Sequence, residues 1–336
     1  MAGSKDKTPH LLVKTNLKHA APDLSDGFAE IRPKLGEIGI FGTEVAISVT
    51  GDYESDKQTL DRLLEWAPRW HDQGLAVYVH PYTHGPANPS ECAEDNGGTP
   101  HAAFRQVADA VAQLAERAGG PVVLTYHAAE HPGESPAEGP HQAGNRGAAS
   151  SAGATYQGET RPAESWRQTL LERSVRFFDL GFRYCEKLDC GILLVSETQL
   201  PPSVGSPRIR IGDRPEEVLR TLGGRSYGAC WDSGHYLLSV ERVGVAPDPG
   251  DDFVRVVTHM HIHDVVDSVD HRPLTPGSRN VARYVKRAVD AGGVNSITLE
   301  YDYRLDENAP GATQSERILA HLRKAVELVR TWCDVG

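Results

Sequence analysis

GILLVSETQ, residues 191–199, is a short apolar run that stops at a carboxylate, Glu197, and it is the stretch on which the reading of the fold turns. A run that is apolar without alternating is what a parallel strand covered on both faces looks like. Three later stretches repeat the form. YGACWDSGH (227–235) closes on Asp232, VVTHMHIHD (256–264) carries His261, and SITLEY (296–301) closes on Glu300. Each is followed by a helix-like segment. In a (β/α)8 barrel the C-terminal strand ends converge on one mouth, so this spacing gathers all four side chains around a point. Three carboxylates and a neutral imidazole form a hard, oxygen-rich donor set suited to a divalent cation.

Upstream, the rhythm continues. Strands are expected at LLVKT (11–15), EVAISV (44–49), LAVYVH (75–80) and VVLTYH (122–127), and the third and fourth end in His80 and His127. Helical patterns are expected at 56–70, 100–118, 163–187, 214–222, 279–291 and 314–332, with Asp213-Arg214-Pro215-Glu216 reading as a capped helix start. Alternating strands and helices predict an α/β protein, a single (β/α)8 TIM barrel over residues 1–336. One segment, 131–163, is dominated by Gly, Ala, Pro, Ser and Glu. It follows the fourth strand and is expected as a flexible insertion at the mouth, a disordered loop or a lid ordered by substrate. Trp231 precedes Asp232 and should point to the helical layer, while GDYESD (51–56) either caps the second helix or reaches the mouth.

The 336 residues are 39% hydrophobic and 24% charged, as expected of a soluble globular chain, with a cytoplasmic location as the default. The five cysteines form no CxxC pair, which argues against a disulfide framework or thiolate zinc site. A net charge of −11 disfavours a nucleic-acid coat, and no long apolar run suggests a membrane span. No Walker-type or GxGxxG fingerprint follows a strand, so no organic cofactor is expected. A small-molecule substrate and a divalent metal are the expected partners, with homo-oligomer formation open.

WDSGH (231–235) resembles the aspartate–x–x–histidine segment, and HMHIHD (259–264) the histidine-strand segment, of the xylose-isomerase-like TIM-barrel superfamily, which includes sugar phosphate isomerases and epimerases and the endonuclease IV enzymes. The resemblance runs from about residue 11 to 332, apart from the insertion. In the epimerases it implies that Glu197, Asp232, His261 and Glu300 hold one Mn2+, Mg2+, Co2+ or Zn2+, with Glu197 and Glu300 as base and acid. His235 then orients a substrate oxygen or else supports Asp232. Arg272, in RPLTPG (272–277), grips a phosphate or carboxylate or lies on the surface, and His263 packs toward the loop or pairs with Asp264. In the endonuclease IV branch the resemblance implies a second metal at His80, His127 and Glu197. A third there needs His235 with an aspartate–x–histidine pair, but here Asp270 and His271 are adjacent, a departure that weakens that site.

Two functions follow. The first is a divalent-metal-dependent isomerase or epimerase (or a related lyase) acting on a sugar-like or keto-acid molecule through a metal-stabilised enolate, with His80, His127, His235, His263 and Arg272 as substrate contacts. The alternative is a multi-zinc phosphoester hydrolase. A barrel that binds a ligand without catalysis is disfavoured by the complete ligand set.

Overall fold

The computed structural model describes residues 9–17, 30–93, 95–131, 160–302, 311 and 313–334. Eight parallel strands close a barrel: β1 His10–Asn16, β2 Gly42–Val49, β3 Ala76–Thr83, β4 Val122–Tyr126, β5 Ile192–Glu197, β6 Ala229–Asp232, β7 Val257–Ile262 and β8 Ser296–Leu299. Around the ring each strand pairs with its neighbours in sequence, and β8 returns to β1. The expected (β/α)8 barrel is therefore the fold found. The Gly/Ala/Pro-rich segment falls almost entirely, at 132–159, outside the described residues.

Helices pack on the outside at Tyr53–Trp66, Gly98–Ala118, Thr160–Leu188, Pro215–Thr221, Ser233–Arg242, Arg279–Asp290 and Gln314–Asp334. Asp52 caps the first of these, its side chain accepting from Ser55 N at 2.9 Å, so GDYESD starts a helix. The glycine pair 97–98 opens the helix Gly98–Ala118, where the sequence pattern reads most such pairs as stops. The apolar layer lies between barrel and helices. Trp231 sits there as expected, with ring centroids 5.6 Å from Tyr236, 5.8 Å from Phe253 and 5.0 Å from Tyr284.

Three features shape the mouth. Strand β3 runs three residues beyond the expected end, through Pro81 to Thr83, which carries Tyr82 onto the same face as His80. Two small antiparallel ribbons, Glu130–His131 with Ile209–Arg210 and Asp264–Val266 with Val269–Arg272, fold over the strand ends. The first ribbon is tied to the outer layer by Arg167. Its guanidinium bonds Asp213 and also Glu217 (Nε to Oε1, 2.7 Å), and Glu217 accepts Gly212 N at 2.9 Å. Asp213 and Glu217 are both buried, so this cluster fixes the loop after β5. Among the described residues no helix is long and apolar enough to cross a membrane.

Candidate metal centre

Each strand end delivers its side chain for a local reason. Asp232 ends β6 and is also the N-cap of Ser233–Arg242, where its Oδ1 accepts His235 N at 2.7 Å. The cap fixes its rotamer and leaves Oδ2 facing the barrel axis. His261 is the inward residue of β7 beside it, in register with Asp232. Glu197 ends β5, and Glu300 follows β8 directly with its N–H bonded to Ile262 O at 3.1 Å. Ligand atoms of Glu197, Asp232, His261 and Glu300 all lie within 4.8 Å of one another. Exposure is 0% for the first three and 5% for Glu300. His261 Nδ1 is the shared centre, 3.2 Å from Glu197 Oε1 and 2.8 Å from Glu300 Oε2.

A second group adjoins the first through Glu197. His80 Nε2 and His127 Nε2 each stand 3.1 Å from Glu197 Oε2. His235, His263 and His271 form a third group of imidazoles. The ribbon Val269–Arg272 turns His271 back, at φ +55°, to stack on His263 with centroids 4.4 Å apart. The His271 N–H donates to His263 Nδ1 at 2.8 Å, and His263 Nε2 then stands 3.0 Å from Asp232 Oδ1. His263 thus pairs with Asp232 and not with the Asp264 carboxylate, which accepts from Ser278 Oγ and Val265 N. Asp270 does not join the third group. It turns to His271 Nδ1 at 3.3 Å. His235 reaches Thr198 O at 3.1 Å and lies 3.5 Å from Glu197. Arg272, half-buried at the ribbon's end, has its Nε enclosed without an acceptor among the described residues.

Three further side chains complete the site, and sequence reasoning passed over them. Lys14 in β1 donates to Glu300 Oε2 at 3.2 Å and lies 2.5 Å from His80 Nδ1. Glu44, in register with Lys14 on β2, lies beneath the mouth, where it accepts from Thr125 Oγ1 (2.7 Å), Thr298 Oγ1 (2.6 Å) and His259 Nε2 (3.2 Å). Its Oε2 is 2.8 Å from His261 Nε2. Tyr82 donates to Glu300 Oε1 at 3.3 Å. The available signal was a lone charge inside an otherwise apolar parallel strand, LLVKTN and TEVAISV, which only the barrel interior explains.

The electrostatics are those of a cation site. Burial pushes Glu197, Glu300 and Glu44 up, yet neighbouring imidazoles and Lys14 hold all three well below the usual carboxylate range. Asp232 is likewise lowered, by His235 and His263 against its burial. Burial pulls His261 down, but Cys230, Glu44 and Glu197 raise it well above an ordinary imidazole, because a proton there answers the surrounding negative charge. A divalent ion would compete for that place. The fit is supported by orphaned atoms: His80 Nε2, His127 Nε2, Glu197 Oε2 and Asp232 Oδ2 are buried with no hydrogen bond among the described residues. Buried polar atoms are rarely left so, and a metal ion would satisfy them.

Comparison with protein-family models and with curated protein sequences finds no match for this chain. Among solved structures it is similar to an Anabaena variabilis protein provisionally named a sugar phosphate isomerase/epimerase, at 13% identity, TM-score 0.62, over 97% of this chain and 98% of that one. It is also similar to D-psicose 3-epimerase of Clostridium cellulolyticum H10, at 12% identity and TM-score 0.54 over 96% of this chain and 97% of that one. An L-ribulose 3-epimerase matches at 12% identity and TM-score 0.54, over 97% of this chain and 95% of that one. The chain therefore shares the barrel fold of these structures. At such identities the likeness is one of fold.

Proposed function

We propose that the barrel is a divalent-metal-dependent isomerase or epimerase of a sugar-like or keto-acid small molecule. The observation that carries this reading is the convergence of Glu197, Asp232, His261 and Glu300 within 4.8 Å at the strand ends. These four would hold the ion, which when bound polarises a carbonyl and acidifies the neighbouring C–H. Glu197 and Glu300 flank His261 Nδ1 and are kept ionised, so each can take up a proton from carbon; passing it to the neighbouring carbon gives isomerisation, and epimerisation needs the opposite carboxylate to deliver a proton that it has drawn from solvent. Tyr82 and His271, the latter with Nε2 3.4 Å from Glu300 Oε1, hold the Glu300 carboxylate in place for that transfer. His235 and Arg272 are the donors for substrate oxygens, and Arg272 suits a phosphate or carboxylate because its fork matches two oxygens. The similar structures with epimerase names, one of them solved with D-tagatose, add support for sugar-like substrates.

The test is solvent exchange. Protein supplied with Mn2+ and a panel of ketoses, their phosphates and keto acids in D2O should place deuterium on the carbon next to the carbonyl of at least one compound. Glu197→Gln should abolish that exchange while retaining much of the metal. Full activity of Glu197→Gln on the substrate so found would contradict the assignment. A second reading, phosphoester hydrolysis by a multi-zinc centre, is favoured by one observation, the approach of His80 and His127 to the same Glu197 oxygen. Release of phosphate or cleavage at an abasic site, in place of deuterium uptake, would support it.

A further inference from the structure

We propose that the cavity between the ends of β3 and β4 and the ribbon Glu130–His131/Ile209–Arg210 is a subsite for a second, uncharged sugar unit, so that the substrate is larger than a monosaccharide. That both units belong to one substrate rests on the metal-dependent reading above; the cavity itself does not.

The cavity holds about 1070 Å3, at the top of the range of about 300–1,000 Å3 usual for a small-molecule site. It adjoins the mouth. Thr83 on its wall follows Tyr82, the donor to Glu300, and Glu130 stands three residues after His127, so at most about 11 Å of chain separates those two. The walls are already tied in place. Gln199, two residues past Glu197, donates to Ala128 O at 2.9 Å and to Ile211 O at 2.7 Å, and Ile211 N donates to Ala129 O at 2.9 Å. The ribbon then sets Glu130 opposite Arg210. Asn88 Oδ1 accepts from Ser90 N at 2.9 Å and from Glu130 N at 3.2 Å, which joins the β3 side of the cavity to the ribbon. A wall held by these bonds loses little freedom when a ligand arrives.

The chemistry of the wall favours hydroxyl groups over an anion. Arg208 Nη1 and Arg210 Nη2 both donate to Glu130 Oε1, each at 3.1 Å, and Arg210 Nη1 donates to Leu200 O at 3.0 Å. Among the described residues the remaining N–H groups of the two guanidiniums have no acceptor, nor has Asn88 Nδ2, and Glu130 Oε2 has no donor. The two guanidiniums are balanced by two carboxylates, Glu130 and Glu91, the second accepting from Ser90 Oγ at 3.2 Å. The other titratable side chains on the wall are the imidazoles of His84 and His131. An anion offers acceptors only and would meet both carboxylates as like charges. A sugar hydroxyl donates as well as accepts, so neighbouring hydroxyls can donate to Glu130 Oε2 and accept from Asn88 Nδ2 and the guanidiniums.

Calorimetry on Mn2+-supplied protein tests this with two sets of compounds: fructose, and disaccharides that link a glucosyl or galactosyl unit to it (turanose, isomaltulose, lactulose). At least one disaccharide should bind about 10-fold or more tighter than fructose, the worth of one or two hydrogen bonds to charged groups. Arg208→Ala, at a side chain 53% exposed, should remove most of that preference, and so should Glu130→Gln, with the fold of each checked by circular dichroism. Equal binding of fructose and every disaccharide by wild type, or a preference that both variants keep, would overturn the proposal. Binding of inorganic phosphate that Arg208→Ala abolishes, with no disaccharide preferred, would overturn it in favour of an anion. Methyl glucoside and methyl galactoside, which have no free carbonyl, report the cavity apart from the metal. In chelator-treated protein, saturation-transfer NMR should show contact with at least one of them, weakened by Arg208→Ala, and contact with neither would overturn the subsite. If the chain takes up no ion and a glycoside still binds, the metal-dependent reading fails and the subsite stands.

Discussion

Removing the Glu44 carboxylate should unsettle the floor of the mouth more than any change at its rim. Glu44 is 0% exposed and accepts from Thr125, Thr298 and His259 at 2.7, 2.6 and 3.2 Å, with His261 Nε2 at 2.8 Å. Glu44→Ala strips an acceptor from three buried donors, and each orphaned donor costs about 1–3 kcal/mol. Thr298 and His259 can fall back on one another at 3.3 Å, which puts the loss toward the lower end of that range. The substitution also breaks the buried contact of the Glu44 carboxylate with His261 Nε2; breaking such a pair costs about 3–5 kcal/mol, toward the lower end here because Glu197 and Glu300 remain beside His261. These overlap, so a total of about 3–5 kcal/mol is expected, a large share of a typical stability of about 5–15 kcal/mol. Glu44→Gln keeps the shape and one acceptor and should lose about half as much. The assay is urea unfolding of chelator-treated protein followed by circular dichroism. Titration of Mn2+ into Glu44→Gln should also show roughly 10–100-fold weaker binding, because His261 loses the carboxylate behind it. A loss below about 1 kcal/mol in Glu44→Ala would refute the reasoning, since unpaired buried donors cannot be that cheap.

Further outcomes follow from other parts of the site. In metal-free protein Asp270 and His271 stabilise one another in a defined pH window. His271 is raised to about 10 by Asp270 and Glu300 against its burial, so its contribution is complete below the unfolded value near pH ~6.5 and is lost as pH rises through about 10. Burial raises Asp270, but His271 lowers it further, so its share is present above the unfolded value near pH ~3.9 and lost only in stronger acid. His271→Gln should therefore flatten the fall in melting temperature between pH 7 and 10, and an unchanged slope would exclude the pair. Arg167→Met leaves Asp213 and Glu217 buried without their shared cation and should cost about 3–5 kcal/mol in urea unfolding. A cost under 1 kcal/mol would mean that water reaches both. Gly234→Ala drives a methyl into the His263 ring, so it should displace that ring at a cost of about 1–3 kcal/mol and alter the His263 resonances. Unchanged His263 resonances would contradict the packing of that ring against Gly234. Burial raises Cys92 to about 11 and Cys185 to about 12, so at pH 8 native protein both should resist a thiol reagent that labels them after unfolding. Rapid labelling of either in native protein would contradict their burial.

The barrel was legible because its signal is local. Each strand is a short apolar run, and the residue that ends it is visible as a break in composition. Glu197, Asp232, His261 and Glu300 were readable for that reason, and the structure brings their ligand atoms together. Lys14 and Glu44 were not, because each lies inside a run and its importance depends on which face of the strand looks inward. Only closure of the ring, with Lys14 opposite Glu44 and β1 beside β8, brings them under the mouth. Tyr82 was missed through a boundary, since Pro81 suggests an end to a strand that in fact continues. The role of His263 depends on a ribbon of three- and four-residue strands, too short to carry periodicity, that folds His271 back onto it. The adjacency of Asp270 and His271 is expected to weaken a shared third site; in the structure the two side chains turn toward each other at 3.3 Å, and His271 stands 3.4 Å from Glu300.

The most direct test of the proposed centre is elemental analysis of protein purified without a metal-affinity tag, reported as ions per chain for wild type and for Asp232→Ala. The account predicts about one divalent ion in wild type and a loss of most of it in the variant, with the fold retained by circular dichroism. A wild-type chain that carries no ion and takes up none on dialysis against Mn2+, Co2+ or Zn2+ would contradict it, as would an Asp232→Ala chain that keeps its full complement.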